Sequence, residues 1–255
     1  MDWNFLIKNK DSLSVSTDTR NLPAGCVFFA LHGETFDGNR FAAQALDNGA
    51  AMAIVSDEDM YNQLVKKYGK ERAILIPFSL RERGGVVALQ SLARVWRREL
   101  GVPIIGITGT NGKTTTKELT AAVLSTKYNI YYTQGNLNNS IGVPLTLLSI
   151  TRAHEMAIVE MGASHPGDIR ELVNVAEPNY GLITNVDGVQ QTKKELYDYI
   201  CEHGGKIFRN TDNPYLAKMA GNLTTIPYTT GTMPAGTHLV GNYNAENVSA
   251  ALCVG

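Results

Sequence analysis

Between Gly106 and Thr116 the chain reads Gly-Ile-Thr-Gly-Thr-Asn-Gly-Lys-Thr-Thr-Thr, directly after the apolar pair Ile104-Ile105. Glycine admits positive φ and puts no side chain between backbone and ligand, so Gly109 and Gly112 permit a tight loop that can wrap an anion. The helix opened by such a loop adds unpaired N–H groups and the positive end of its dipole. Lys113 then supplies a point charge for the β- and γ-phosphates of a nucleotide, and the Thr114 hydroxyl can ligate Mg²⁺. The commonest phosphate-loop spacing, G-x-x-x-x-G-K-[ST], would need a glycine where Ile107 stands; here Gly109 and Gly112 frame a tighter G-T-N-G-K-T. Gly-Lys-Thr-Thr after an apolar strand is hard to explain without a phosphate. The run therefore implies an ATP site built from Gly109, Thr110, Asn111, Gly112, Lys113, Thr114 and Thr115.

Such a loop works only if a strand holds one end and a helix the other. Residues 104–108, 156–160 and 180–184 have the apolar content of strands, and 113–126, 168–175 and 193–203 that of helices. Strand and helix alternating in this way predict a parallel sheet covered by helices. Upstream, 26–31, 51–55 and 73–76 read as short buried strands. Residues 38–49 place Phe41, Ala42, Ala45 and Leu46 at helical spacing, and 82–100 place Val86, Leu89, Ala93 and Trp96 on one helical face. Arg94, Arg97 and Arg98 fall off that stripe and read as a solvated basic face. Gly101-Val102-Pro103 interrupts helix continuation. The expected architecture is α/β, with a small N-terminal α/β domain over 1–100 and a P-loop parallel-sheet ATPase domain over 101–255.

Composition narrows the class further. The 255 residues are 44% hydrophobic, and 23 Lys plus Arg against 24 Asp plus Glu leave a net charge of −1. Disorder and a nucleic-acid partner are both disfavoured by these values. Cys26, Cys201 and Cys253 are too scattered for a disulfide framework or a metal knuckle, and Cys201 and Cys253 fit helical core positions. His32, His165 and His203 sit beside loops or helix ends and read as structural or exposed. The opening MDWNFLIKNK carries charge too early for a signal peptide, and no apolar run approaches ~18 residues. A soluble, reduced, cytoplasmic enzyme without membrane insertion is expected.

Three further runs accompany the phosphate loop: Thr133-Gln134-Gly135-Asn136-Leu137-Asn138-Asn139-Ser140-Ile141-Gly142-Val143-Pro144-Leu145-Thr146, Val159-Glu160-Met161-Gly162-Ala163, and Gly241-Asn242-Tyr243-Asn244-Ala245-Glu246-Asn247. With Thr17-Asp18-Thr19-Arg20, Gly33-Glu34 and Phe36-Asp37-Gly38-Asn39 near the start, the set resembles the Mur ligases of peptidoglycan synthesis. The similarity is greatest to the branch that joins D-alanyl-D-alanine to a UDP-N-acetylmuramoyl tripeptide. The resemblance implies an ATP-dependent amide ligase acting through an acyl-phosphate, with ATP and Mg²⁺ as cofactors and those two substrates as partners; a monomer is expected. It makes Lys113, Glu160 and Lys193 the catalytic set. Thr114 and Glu160 would be Mg²⁺ ligands, joined by Lys193 if its amine is carbamylated.

By the same resemblance Asn244 and Asn247 lie on the adenine side. Thr19, Arg20, Gly33, Asp37, Gly38 and Asn39 would line the uridine-diphosphate site, and Asn136, Asn138 and Asn139 would face substrate. Read by themselves these residues leave alternatives open. Asp37-Gly38 is a turn signal, Asn244 could cap a helix without any ligand, the Asn-rich run is an ordinary loop, and Lys193 could be a solvated lysine in a helix's first turn. The match also breaks in places. Asp187-Gly188-Val189 stands where the family carries a histidine-containing loop, 229–237 bridges a longer family segment, and the run ends at Gly255 before the family's C-terminal domain. A fragment of a full ligase, poorly active by itself, is expected. The competing readings are a sister ligase adding one amino acid, a folylpolyglutamate synthetase and a non-catalytic nucleotide-binding module.

Overall fold

A computed structural model of the chain describes residues 1–33, 35–77, 83–186, 190–221, 223–233, 239 and 243–255. The chain divides into two compact units, Met1–Glu99 and Leu100–Gly255. In the first, α1 (Asn4–Ile7), β1 (Val15–Ser16) and β2 (Val27–Phe29) precede a 3-10 turn, Gly38–Phe41, that runs into α2 (Ala42–Asp47). β3 (Met52–Val55), α3 (Glu58–Tyr68), β4 (Ala73–Leu75) and α4 (Gly84–Leu100) follow. The four strands form one parallel sheet in the order β1-β2-β3-β4. Parallel strands are covered on both faces, which is why β2 is Val-Phe-Phe with every residue buried. Phe28 packs with Ala42, Ala45 and Leu46 of α2 and with Leu64 of α3. The Asp57 carboxylate accepts the Met60 amide at 2.7 Å and so starts α3.

On α4, Leu89, Ala93 and Trp96 of the expected stripe are buried, whereas Val86 is half-buried and Leu92 joins the buried face. The indole of Trp3 donates to Ser91 Oγ at 3.0 Å and lies against Phe29. One expectation is corrected here: Arg94 and Arg98 are exposed, but Arg97 is buried. Position 97 lies four residues after Ala93, hence on the same helical face, so its aliphatic stem continues the stripe.

The second unit begins with β5 (Ile104–Thr108), α5 (Lys113–Leu124), β6 (Ile130–Tyr132), α6 (Gly142–Leu148) and β7 (Met156–Glu160). It continues through α7 (Asp168–Ala176), β8 (Tyr180–Ile183), α8 (Gln190–Glu202), β9 (Lys206–Asn210), α9 (Pro214–Ala220), β10 (Thr225–Tyr228) and α10 (Tyr243–Val254). The six strands are parallel in the order β10-β9-β8-β5-β7-β6. β5 is central, with all five residues buried. Gly106 within it brings α8 close, because a Cβ there would stand 3.2 Å from Leu196 Cδ1 and from Met161 Cε. After β5 the chain moves to one side for β6 and β7, then crosses to the other side for β8. That reversal opens a crevice at the carboxyl ends of the strands, where open α/β sheets bind ligands.

β6, α6, β9, α9 and β10 carry no clear signal in the sequence. α6 holds Pro144 in its first turn, where a missing N–H costs nothing. A second correction concerns Cys201, which is exposed on α8 instead of lying in the core. The apolar face of α8 is formed by Leu196, Tyr197 and Ile200, and 201 lies off it. No described helix is long and apolar enough to cross a membrane.

Gly85 at the start of α4 tests the packing of the first unit. Alanine gains up to ~1 kcal/mol of helix propensity over glycine, but a Cβ at 85 would sit 2.5 Å from the Ala30 carbonyl oxygen. Gly85→Ala should therefore lower the denaturant midpoint; an unchanged or raised midpoint would show that the contact between α4 and the end of β2 relaxes freely.

Candidate active site

The phosphate loop leaves β5 at Thr108 and enters α5 at Lys113. Gly109 has φ +150° and Gly112 φ +81°, values that side-chain-bearing residues rarely adopt. A Cβ on Gly112 would lie 2.5 Å from Asn247 Oδ1, and one on Gly109 would collide with Thr184 Oγ1. Both neighbouring strands brace the loop. The Thr184 hydroxyl donates to the Asn111 carbonyl at 2.6 Å, the Thr110 amide donates to the Asn185 carbonyl at 2.8 Å, and the Thr108 hydroxyl donates to the Met161 carbonyl at 2.8 Å. The first-turn amides of α5 have no intrahelical acceptor, which aims them at an anion. Lys113 Nζ folds over the loop, donating to the Gly109 and Thr110 carbonyls at 2.9 and 3.2 Å.

Glu160 ends β7 beside this loop and is only 1% exposed. Its carboxylate accepts Thr114 Oγ1 at 3.1 and 3.3 Å and Asn138 Nδ2 at 2.9 Å. Its own amide donates to Thr133 Oγ1 at 2.9 Å. Lys117 Nζ stands 3.9 Å from Glu160 Oε2. Among the described residues no group of three His, Cys, Asp or Glu could hold a metal. The oxygen pair of Thr114 and Glu160 instead suits a hard cation that completes its shell with phosphate oxygens and water, the usual manner of Mg²⁺.

A cavity of about 180 Å³ is lined by Gly109, Thr110, Lys113, Ala163, Ser164, Thr192 and Lys193. Lys193 lies in the first turn of α8 but is buried, and its Nζ reaches the Ala163 carbonyl at 3.4 Å. The solvated-lysine alternative thus does not hold. Burial first, and then the charge of Lys113, hold its pKa below the usual lysine value. Glu195 of the same helix accepts the Gly167 and Arg170 amides at 2.9 and 2.8 Å, tying α8 to the start of α7. Behind the loop, a second cavity of about 380 Å³ is lined by Asn111, Gly112, Thr115, Asn185, Tyr243, Glu246 and Asn247. Asn247 Oδ1 accepts Thr116 Oγ1 at 3.0 Å, and its Nδ2 donates to Asn244 Oδ1 at 3.1 Å. Asn244 is therefore a buried link inside α10 and not its cap.

In the N-terminal unit, Thr17, Asp18, Thr19, Arg20, Phe28, Phe36 and Phe41 line a cavity of about 420 Å³. Phe36 and Phe41 stack with centroids 5.6 Å apart and are both exposed. Arg20 forks onto Asp18, with Nε at 3.0 Å from both carboxylate oxygens, and this pairing brings the Asp18 pKa down to about 2.

Two models of this family match the sequence: "Mur ligase family, catalytic domain" over residues 14–91 and "Mur ligase middle domain" over 107–230. The chain belongs to the Mur ligase family. Among curated Mur ligases, the UDP-N-acetylmuramoyl-tripeptide--D-alanyl-D-alanine ligase of Bacillus subtilis is 35% identical over 94% of this chain and 58% of its own length. The ligase of the same name from Synechocystis is 47% identical over 68% of this chain and 36% of its own length. The chain spans about half the length of the curated relatives it matches. The crystal structure of MurF from Acinetobacter baumannii aligns with TM-score 0.77 at 25% identity, over 94% of this chain and 58% of that one. The Thermotoga maritima MurF ligase in complex with ADP aligns with TM-score 0.76 at 25% identity, over 97% of this chain and 63% of that one.

The geometry of this Mur ligase chain gathers Lys113, Thr114, Glu160 and Lys193 at the strand ends, and Thr19 and Arg20 at the N-terminal cavity. Other expected site residues are placed differently. Asn39 is buried, with Nδ2 donating to Asp37 Oδ1 at 2.7 Å and Oδ1 accepting the Ser56 and Asp57 amides. Gly33 closes a turn onto Phe36, and Gly38 packs on Leu31 with its amide 2.7 Å from that carbonyl. Asp37, Gly38 and Asn39 thus build the turn that presents Phe41, and the Asn39 side chain is held inside that turn. Asn139 Oδ1 accepts the Ile141 and Gly142 amides just before α6, whereas Asn136 is exposed and Asn138 holds Glu160.

Phe36, Phe41, Thr116, Lys117 and Thr184 are contributors that motif reading passed over. Only Lys117 left a signal, being a charge within the Thr120, Ala121, Leu124 stripe of α5. Asp187-Gly188-Val189, Glu34, Gly241 and Asn242 lie outside the described residues, as does the 234–237 part of the shortened segment. Gly112→Ala should abolish thermal protection by ADP while leaving the far-ultraviolet circular dichroism intact, since αL backbone costs an alanine ~1–2 kcal/mol and its Cβ would displace Asn247. Retained protection would show that the loop does not need this conformation.

Proposed function

We propose that this chain carries the UDP-substrate-binding and ATP-binding parts of a MurF-type ligase, with residues 1–100 binding the UDP-linked substrate and 101–255 binding ATP. The reaction joins UDP-N-acetylmuramoyl tripeptide to D-alanyl-D-alanine in the cytoplasm, and the chain acts as a monomer. One observation carries the reading: Lys113, Thr114, the buried Glu160 and the buried Lys193 all face the strand ends around one phosphate loop. Naming of the relatives supports the same substrates.

Carboxylate and amine do not condense spontaneously in water, so the tripeptide carboxylate must first acquire a leaving group. A carboxylate oxygen attacks the γ-phosphorus of ATP, the bond to the β-γ bridging oxygen breaks, and ADP departs, leaving an acyl-phosphate. The amine of D-alanyl-D-alanine then attacks the acyl carbon, phosphate leaves with the bonding pair, and the ammonium proton is lost to a base. The loop amides and Lys113 hold the phosphates and offset the charge that gathers on the transferring group. Thr114 and Glu160 would hold Mg²⁺, which neutralises phosphate charge when bound. Asn247 and Thr115 border the cavity that suits the adenosine end, while Phe36 and Phe41 offer a face for a base and Arg20 a charge for a diphosphate.

Lys193 acts on this reading as a carbamate, an anion able to approach the cation. The neutral amine is the form that reacts with CO₂, and burial together with Lys113 raises the neutral fraction at a given pH. Carbon-13-labelled CO₂ should therefore give a carbamate carbon resonance that grows as pH rises at fixed dissolved CO₂ and vanishes in Lys193→Ala; a resonance that survives the substitution places the modification elsewhere. Separately, ATP analogues and UDP should each raise the melting temperature. Lys113→Ala should remove the ATP effect and spare the UDP effect. Protection by ATP alone would sink the UDP-substrate assignment, and loss of both effects would mean that the two sites are not separate.

A further inference from the structure

Lys117 is a charged side chain sealed inside the ATP-binding unit, with its side chain 1% exposed. It stands one turn beyond Lys113 on the inner face of α5. Its ammonium donates to the Thr133 carbonyl at 2.7 Å and approaches the ring of Tyr132. Two carboxylates share it: Glu118 Oε1 at 3.0 Å and Glu160 Oε2 at 3.9 Å. They differ in one respect that matters, since the Glu118 side chain is 53% exposed and that of Glu160 2%. A buried ammonium needs a counter-charge, and so does a buried carboxylate. Thr114 and Asn138 bring Glu160 only neutral donors, so Lys117 is the positive charge nearest its carboxylate among the ion pairs of the described residues.

We propose that Lys117 is the resident counter-ion of Glu160, and that Glu118 takes over its charge when Glu160 turns to a divalent cation. The inference rests on the reading of Glu160 as a cation ligand. Without a cation, Lys117 keeps the carboxylate neutralised and aimed at Thr114. With a cation on the Thr114 side, like charges oppose each other across one carboxylate, and the solvated Glu118 already touching Lys117 absorbs the imbalance at little desolvation cost. Lys117 is thus a positioning residue that weakens cation binding, and Glu118 relieves that opposition. No bond is made or broken in the exchange; only the partner of the ammonium changes.

Mn²⁺ binding to the ADP-loaded chain, read from the loss of the free-ion signal in electron paramagnetic resonance, tests this. The signs should be opposite. Lys117→Met should bind Mn²⁺ about tenfold more tightly, the scale of one unit charge at this separation in a partly screened site, while melting at a lower temperature in EDTA. Glu118→Gln should bind Mn²⁺ several-fold more weakly while melting near the parent temperature. A lysine that merely supports the fold would weaken binding in step with stability. Unchanged binding in both variants, or changes of the same sign, overturns the proposal, provided Glu160→Gln loses the ion. If Glu160→Gln binds Mn²⁺ as well as the parent, the cation-ligand reading falls and this inference with it. Should Lys117→Met fail to fold, the surface variant Glu118→Gln decides alone: weaker binding supports the exchange, and equal or tighter binding overturns it.

Discussion

A carboxylate withdrawn from water is the constraint around which the larger unit is arranged. An ionised side chain left unpaired in the interior costs several kcal/mol, so Glu160 at the end of β7 must be met from several directions. Thr114 comes from the first turn of α5, Asn138 from the loop between β6 and α6, Lys117 from the inner face of α5, and the Thr133 hydroxyl takes the Glu160 amide. Each of these partners comes from α5 or from the chain between β6 and α6. The Thr114–Glu160 hydrogen bonds thus tie the first turn of α5 to the end of β7.

The order of the strands makes that meeting possible. β5 lies between β7 and β8, and all three deliver their carboxyl ends to the same edge. The loop after β5 is held from the β8 side by Thr184 and Asn185 and from the β7 side by Met161 and Glu160. Glycine at 109 and 112 is what lets these braces close, since Thr184 and Asn247 occupy the volume a side chain would need. α10 completes the arrangement by setting Asn247 against Thr116, which links the far end of the unit in sequence to the base of the loop.

In the N-terminal unit the division of labour is different. Polar residues that look like ligands in sequence are consumed in building a turn: Asn39 is an interior post for Asp37 and the Ser56 amide. What that turn shows to solvent is aromatic, with Phe36 stacked on Phe41 at the rim of a cavity that also takes in Thr17 to Arg20. Short side chains with several hydrogen-bonding atoms are suited to either role, and the choice between them depends on whether a buried amide stands within reach.

Much of this was readable without coordinates. The glycine spacing before Lys113-Thr114 dictates a phosphate loop, because few other sequences satisfy the backbone and the charge together, and the alternation of apolar strands with amphipathic helices dictates a parallel α/β sheet. Where the helical period is clear, even the buried face follows, as on α4. The sequence could not say which of several chemically equivalent residues reach the ligand side. Arg97 is buried and Cys201 exposed, Asn138 holds Glu160 while Asn139 turns back onto the Ile141 and Gly142 amides, and Lys193 is interior. Asn138 meets Glu160 at 2.9 Å and Lys193 meets the Ala163 carbonyl at 3.4 Å, and each of those partners comes from a segment more than twenty residues away along the chain. Spacing determines which residues can share a face; only the packed sheet decides which charges must neutralise one another, because that cost exists only once water has been excluded.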